Sequence, residues 1–213
     1  MALSKIDVAN MLTGTAPVAN GGTGVTTAAA LANTGNLVKL SSIVASDTTN
    51  IIFDNTVITD TYDTYLLTFR DIDMGSDGES IRMTVSGDNG SNYITSSVYK
   101  RVTINAEHSD TTDGNMTFKS GAQTQINLIG TGSTAGTSDK ESSAGTVTMF
   151  NLRKSDRGKI FHLHSTYETS GEKGRLNFGS VYLDDATVIN NFKVFPSSGD
   201  FNEGTFTLYG VKE

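Results

Sequence analysis

Two histidines at strand spacing are the first residues in this sequence whose types and positions could do chemistry. His162 and His164 flank Leu163, and side chains two positions apart point to the same face of a β-strand. Two imidazoles on one face can supply two ligands to a transition metal, and three copies around an axis would supply six. A solvated or half-buried sheet face explains the pair without a metal, and no third ligand is suggested. We therefore predict that the protein binds no metal and no other cofactor. In the alternative that it does bind a metal, His162 and His164 are the candidate ligands.

Side-chain oxygens crowd two short segments further towards the N-terminus. Asp71, Asp73, Asp77 and Glu79 stand close together, and a second group occupies residues 88–92. Clustered carboxylates can bind Ca²⁺, but the spacing departs from that of the twelve-residue calcium-binding loop. Asp, Asn and Gly are also the residues that tight turns require. Turn formation is the interpretation adopted, with calcium binding as the alternative.

Several classes of function have no basis in the sequence. The chain lacks cysteine, which excludes disulfides, thiolate metal sites and cysteine nucleophiles. Neither a Gly-x-Ser-x-Gly nucleophile elbow nor a phosphate-binding Gly-Lys-Ser/Thr loop occurs, so we predict that the protein is not an enzyme. A net charge of −7 without a basic run argues against nucleic-acid binding. No apolar run approaches the length of a membrane span, and the first residues lack the pattern of a signal peptide.

Residues 37–213 have the pattern of an all-β domain. Short β-branched or alternating runs recur between Asn-Gly, Asp-Gly and Ser-Gly turn signals, as in Tyr65, Leu67 and Phe69, which share one face. About ten to twelve strands without a convincing long helix indicate an antiparallel sandwich or a barrel. The predicted strands are residues 37–45, 50–54, 64–72, 80–86, 93–105, 116–119, 123–129, 145–153, 159–167, 174–183, 187–195 and 204–212.

Residues 1–36 differ from the rest and are predicted to form an extended arm. Pro17 fixes one φ angle, Asn20, Gly21 and Gly22 permit positive φ angles, and Gly24 follows directly. Thr26 or Thr27 can then cap a short helix over residues 28–33. The apolar content is too small for a core, so this arm must contact the rest of the chain, a second copy or another protein.

The arm resembles a motif of bacteriophage tail-fibre proteins. In that motif an anchored Gly-Gly-Thr-Gly precedes a short alanine-rich helix, as residues 17–27 precede residues 28–35 here. The remainder is similar to a phage virion module in its Tyr-Asp-x-Tyr segment at residues 62–65 and in the hairpin at residues 85–93. Residues 204–212 match the terminal strand of that module, Gly-x-apolar-x-Leu-Tyr-Gly-Ile/Val.

This resemblance implies a phage tail fibre or a related virion appendage, a homotrimer whose tip is a jelly-roll-like antiparallel β-sandwich. Residues 37–213 would form that domain, and residues 1–36 would attach it to tail or baseplate proteins and help the copies to assemble. The protein would be made in the bacterial cytoplasm and reside in the virion. A single Gly-Gly-Thr-Gly unit and the lack of a long shaft indicate a short fibre or a distal piece.

The expected function is non-covalent binding of a host-surface glycan or protein through loop tips. The loops chosen are residues 73–79, 88–92, 107–115 and 130–141. One alternative is a structural virion protein, either a capsid decoration protein or a tail adaptor. The other is a glycan depolymerase. The candidate binding residues are Asp77, Asp88, Asn89, Asn92, Asp110, Asp113, Thr134 and Asp139.

Overall fold

A computed structural model of the chain describes residues 36–108, 115–129, 135, 142–169 and 173–212. The chain divides into two units, Met1–Val38 with Lys212–Glu213, and Lys39–Val211. In the first unit the Lys212 amide donates to the Asn36 carbonyl over 2.8 Å. The predicted arm, with Pro17, Asn20, Gly21, Gly22 and Gly24, lies outside the described residues, as does the helix expected over residues 28–33.

The described part of the chain is all-β. None of its residues forms an α-helix, and so none forms a helix capable of crossing a membrane. The strands are β1 (Leu37–Thr48), β2 (Ile51–Phe53), β3 (Thr64–Met74), β4 (Ile81–Ser86), β5 (Tyr99–Glu107), β6 (Asn115–Gln123), β7 (Ile126–Asn127), β8 (Ser143–Phe150), β9 (Lys159–Glu168), β10 (Gly174–Leu183), β11 (Asn191–Pro196) and β12 (Phe201–Val211).

These strands form two antiparallel sheets in a β-sandwich-like arrangement. The larger sheet has the order β1-β12-β3-β8-β9-β10-β5-β6, and the smaller has the order β2-β11-β4-β7. The pairing is nested in sequence: β2 pairs with β11, β3 with β8 and β4 with β7. Two hairpins, β5–β6 and β9–β10, add four strands to one side of the larger sheet. The predicted all-β antiparallel fold is therefore confirmed.

One hydrophobic core joins the inner faces of the two sheets. The predicted alternation in β3 is confirmed, because Tyr65, Leu67 and Phe69 are all buried. They belong to the same buried cluster as Phe192 of the smaller sheet and Phe206 of β12. Apolar burial of this kind is the main force that holds two sheets face to face.

Each predicted strand corresponds to an observed one, and the differences lie at the strand ends. β5 begins at Tyr99, whereas residues 93–98 of the predicted strand form a loop. In that loop the Ile94 carbonyl accepts a hydrogen bond from the Tyr99 hydroxyl at 2.9 Å instead of a sheet partner. β-Branched side chains extend the strand pattern into such loops, while the hydrogen-bond partner that ends the strand lies elsewhere in the fold.

Candidate functional site

The structure places the predicted binding residues at opposite ends of the sheets. Asp77 lies in the loop before β4, and Asp88, Asn89 and Asn92 lie in the turn after it. β4 has six residues, and at a rise of about 3.4 Å per residue it separates the two groups by roughly 20 Å. A single compact ligand cannot contact both groups.

The end that carries Asp77 gathers loops that connect the two sheets. We define the loop end as residues 75–79, residues 197–200 and Ala135. The Gly75 amide donates to the Asp200 carbonyl over 2.8 Å, and the Gly78 amide donates to the Ala135 carbonyl over 3.0 Å. Ala135 also forms β-bridges with Glu79 and with Thr169. Backbone hydrogen bonds thus hold segments distant in sequence together as one surface.

Glu79 ties two of these loops through its side chain. Its carboxylate accepts hydrogen bonds from the hydroxyls of Ser197 and Ser198, the second over 3.0 Å. The Ser197 hydroxyl in turn accepts from the Ser80 amide over 2.8 Å. Glu79 therefore fixes the surface from within, whereas Asp77 is exposed on it.

An open groove of about 610 Å³ adjoins the loop end. Its polar lining comes mainly from Asp47, Asp71, Asp73, Asn202 and Glu203. The Asn202 amide donates to the Asp73 carboxylate over 3.2 Å, which joins the groove to the start of the β3–β4 loop. Asp47 and Asp71 adopt positive φ angles of 46° and 54°, which Asp tolerates better than most residues. Such a groove presents acceptors suited to hydroxyl groups.

The turn after β4 uses its polar side chains to close on itself. The Asp88 carboxylate accepts hydrogen bonds from the Ser86 hydroxyl (2.7 Å), the Asn92 amide (2.8 Å) and the Asn92 side chain (2.7 Å). Asn89 has a φ of 57°, donates its amide to Asn190 and accepts from the Asn55 amide. Asp88, Asn89 and Asn92 thus have a structural role in the turn, as the turn interpretation of this segment predicts.

The turn makes a testable contribution to stability in acid. Hydrogen bonds from the Asn92 side chain, the Asn92 backbone and Ser86 lower the pKa of Asp88 to about 2. Between pH 4 and 2 the unfolded state therefore binds more protons at Asp88 than the folded state, and stability falls as the pH falls. We expect Asp88→Asn to flatten this part of the stability profile in urea titrations. Identical acid slopes for the variant and the unchanged protein would contradict the assignment.

The other predicted loop residues, Asp110, Asp113, Thr134 and Asp139, lie outside the described residues. The strands that flank the first two are described, and Glu107 pairs with Asn115 across that hairpin. The Glu107 carboxylate also pairs with Lys173 over 2.9 Å beside the β9–β10 turn. The end of β5 at Glu107 therefore lies beside the start of β10.

His162 and His164 lie on one exposed face of β9, as their spacing predicts. Each contacts an aromatic ring edge-on: His162 lies 5.1 Å from Phe150, and His164 lies 6.1 Å from Phe178, measured between ring centroids. Over the residues that the structure describes, no group of three or more His, Cys, Asp or Glu side chains could hold a metal ion. The same holds for the acidic residues around Asp71 and Asp73.

The face that carries the histidines also holds an apolar surface that the sequence interpretation missed. We call it the apolar strip. It runs across β10, β5 and β6 on the outer face of the larger sheet. Its members are Val102, Ile104, Ala106, Met116, Phe118, Leu176 and Phe178. Of these, Phe118 is 71% exposed and Val102 is 64% exposed.

The strip results from an inverted pattern in the added hairpins. In β5 the polar Thr103 is buried, whereas Val102 beside it faces outward. In β10 the buried polar residue is Asn177, which donates a hydrogen bond to the Leu128 carbonyl over 2.8 Å. Ser165 of β9 donates to the same carbonyl over 2.6 Å. In β9 and β10, one backbone acceptor beneath the sheet therefore pairs with polar residues on the inner face, while Leu176 and Phe178 of β10 face outward.

Comparison with known proteins found no relative of this chain. No protein-family model matches the chain, and neither the search of curated proteins nor the search of solved structures found a match.

Proposed function

We propose that the β domain is a jelly roll enlarged by two hairpins. The support is the nested strand order, in which β1 neighbours β12, β2 neighbours β11, β3 neighbours β8 and β4 neighbours β7. This is the order obtained when one long antiparallel ribbon rolls into two sheets. The hairpins β5–β6 and β9–β10 then extend the sheet that begins with β1.

On this fold the chain serves as a bacteriophage tail-fibre protein that binds a host-surface glycan or protein without covalent chemistry. Residues 1–36 attach it to tail or baseplate proteins, and the assembled protein is a homotrimer in the virion. The observation that carries the binding role is the convergence of three loops that connect the two sheets at the loop end, next to a groove lined by carboxylates and an amide. Hydroxyl-rich glycans donate hydrogen bonds to such acceptors. The phage assignment rests on the sequence resemblance.

Reversing one charge at the loop end should weaken binding to host cells at least tenfold. Asp77 is exposed and precedes β4. We expect Asp77→Lys to lower the binding of labelled full-length protein to a susceptible bacterial strain at least tenfold, because the new ammonium replaces an acceptor with a donor. Flow cytometry over a panel of strains with different surface glycans first identifies a strain that binds the unchanged protein. The same assay then compares the binding of the variants to that strain.

The matched control is Asp60→Lys. Asp60 is also an exposed aspartate, and it lies in the loop before β3, at the end remote from Asp77. The Asp60 side chain in its ion pair with Arg153 is 78% exposed, so loss of the pair should cost the fold little. Binding that survives Asp77→Lys but is lost in Asp60→Lys would place the binding surface at the opposite end. Binding to no strain in the panel would contradict host recognition altogether.

A structural virion protein is the second candidate, and the apolar strip favours it. A capsid decoration protein or tail adaptor needs a surface that adheres to its neighbours, and exposed apolar faces commonly serve this purpose. Imaging of the particle distinguishes the two candidates: the loop end points outward in a host-binding fibre and is covered by neighbouring proteins in an adaptor. Release of oligosaccharide from purified capsule would instead favour a glycan depolymerase.

A further inference from the structure

We propose that the apolar strip is the surface through which copies of this chain associate. This inference names the interface of the proposed homotrimer, and only the number of copies rests on the proposed function. The occupant of the strip is then the same strip on another copy, not a different virion protein.

The arrangement of charge favours a second copy. Three cross-strand rows run from β9 to β6, and none of their residues is an acid, a lysine or an arginine. The rows are His162-Ser180-Val102-Ser120, His164-Phe178-Ile104-Phe118 and Thr166-Leu176-Ala106-Met116. Beyond them lie the pair Lys100–Asp184 at one end and Glu168 at the other.

Absence of charge matters because identical chains repel one another. Each copy carries a net charge of −7, and an interface between copies brings like residues close together. Unpaired carboxylates in such an interface would cost both repulsion and desolvation. The three rows avoid both costs, whereas a partner of opposite charge would gain nothing from them.

The size of the strip also suits an interface between copies. Val102, Met116, Phe118, Leu176 and Phe178 are between 36% and 71% exposed. Together they present roughly 500 Å² of surface, which is near the upper range of the largest apolar patch on a typical monomer. Two strips face to face would remove about 1,000 Å² from water through these residues alone, which reaches the lower limit for a specific interface. The remaining members of the rows add to this area.

The strip carries both a protrusion and a depression. Phe118 protrudes from β6, the last strand of the larger sheet. A depression of about 370 Å³ lies over Ser180, between Val102, Phe178 and His162. It is larger than the roughly 150 Å³ cavity that accepts a benzene ring in an engineered protein core. Phe118 of one copy can therefore fill the depression of the next, in a two-fold pair or around a ring.

The decisive test uses two valines that differ in position but not in type. Val102 is 64% exposed within the strip, and Val44 is 72% exposed on β1 at the other side of the same sheet. We expect light scattering of the unchanged full-length protein to give a multiple of 22.6 kDa. Val102→Asp should reduce this mass to that of one chain, and Val44→Asp should leave it unchanged. Circular dichroism checks that both variants remain folded.

The outcomes test the strip as the interface separately from the number of copies. A trimer that persists in Val102→Asp supports the trimer and overturns the strip as its interface. A dimer that Val102→Asp dissociates supports the strip and overturns the trimer. A single chain for the unchanged protein overturns both. If Val102→Asp fails to fold, Ser180→Trp, which fills the depression from within the same chain, should dissociate the copies, and an unchanged mass would count against the strip.

Discussion

Replacing Lys159 with methionine should lower the free energy of unfolding by roughly 3–5 kcal/mol. Lys159 opens β9 and is fully buried. Its ammonium donates hydrogen bonds to the carbonyls of Lys154 (2.8 Å), Arg157 (3.1 Å) and Ala186 (3.1 Å). Methionine keeps a long unbranched stem but has no donor, so three carbonyls would lose their partner at once.

The pKa of Lys159 reflects the cost of burying its ammonium. Burial lowers its pKa below the ordinary value, with partial compensation from the charges of Asp185 and Asp156. A buried ammonium is thus costly, and the three carbonyls are what offset the cost. The residue joins the β8–β9 loop to the segment after β10, which are distant in sequence.

Lys100→Met is the matched control for this prediction. Lys100 pairs with Asp184, but its side chain is 57% exposed, and exposed ion pairs contribute at most about 1 kcal/mol. Urea unfolding followed by circular dichroism measures both variants. Equal stability losses for Lys159→Met and Lys100→Met would mean that water replaces the ammonium at the three carbonyls, and the proposed role of Lys159 would then be wrong.

Lys159 also marks a limit of what the sequence reveals. The predicted strand over residues 159–167 is confirmed, and its alternation places Lys159 on the same inward face as Phe161 and Leu163. Periodicity alone gives no reason for a lysine on that face. The reason is a set of backbone carbonyls, one of which, that of Ala186, reaches Lys159 only through tertiary folding.

The apolar strip escaped the sequence interpretation for a related reason. A period of two divides a strand into two faces but does not say which face is inward. In β5, an assignment by hydrophobicity would place Val102 and Ile104 in the core and Thr103 outside. The structure has the reverse in β5. In the neighbouring β9 and β10, the Leu128 carbonyl beneath the sheet accepts hydrogen bonds from the inward-facing Ser165 and Asn177.

The candidate loops show the same division between local and long-range information. Composition is sufficient to place Asp77 and Asp88 in turns, since Asp and Gly supply the conformations that turns need. Which turns share an end depends on contacts between segments more than a hundred residues apart, such as the hydrogen bond that the Ser197 hydroxyl donates to the Glu79 carboxylate. The sequence therefore predicts the turns but not the surface that they form together.

Replacing Phe206 with alanine should cost roughly 3–5 kcal/mol of stability, the usual range for a buried phenylalanine. Phe206 lies on β12 and is fully buried. Its ring centroid lies 5.2 Å from that of Phe201 and 6.2 Å from that of Phe69. Removal of the ring leaves a cavity on the inner face of the larger sheet, where the rigid strands cannot collapse to fill it.

The same substitution at Phe118 should leave the stability of the single chain almost unchanged but weaken association. Because Phe118 is 71% exposed, Phe118→Ala should change the stability of the single chain by less than about 1 kcal/mol. Stability is compared by circular dichroism at dilutions where light scattering gives one chain, since association would otherwise raise the apparent stability. At higher concentration Phe118→Ala should weaken association and Phe206→Ala should not, provided the latter remains folded. If Phe118→Ala destabilises the single chain as much as Phe206→Ala, the outer face belongs to the folding core and the strip is not an assembly surface.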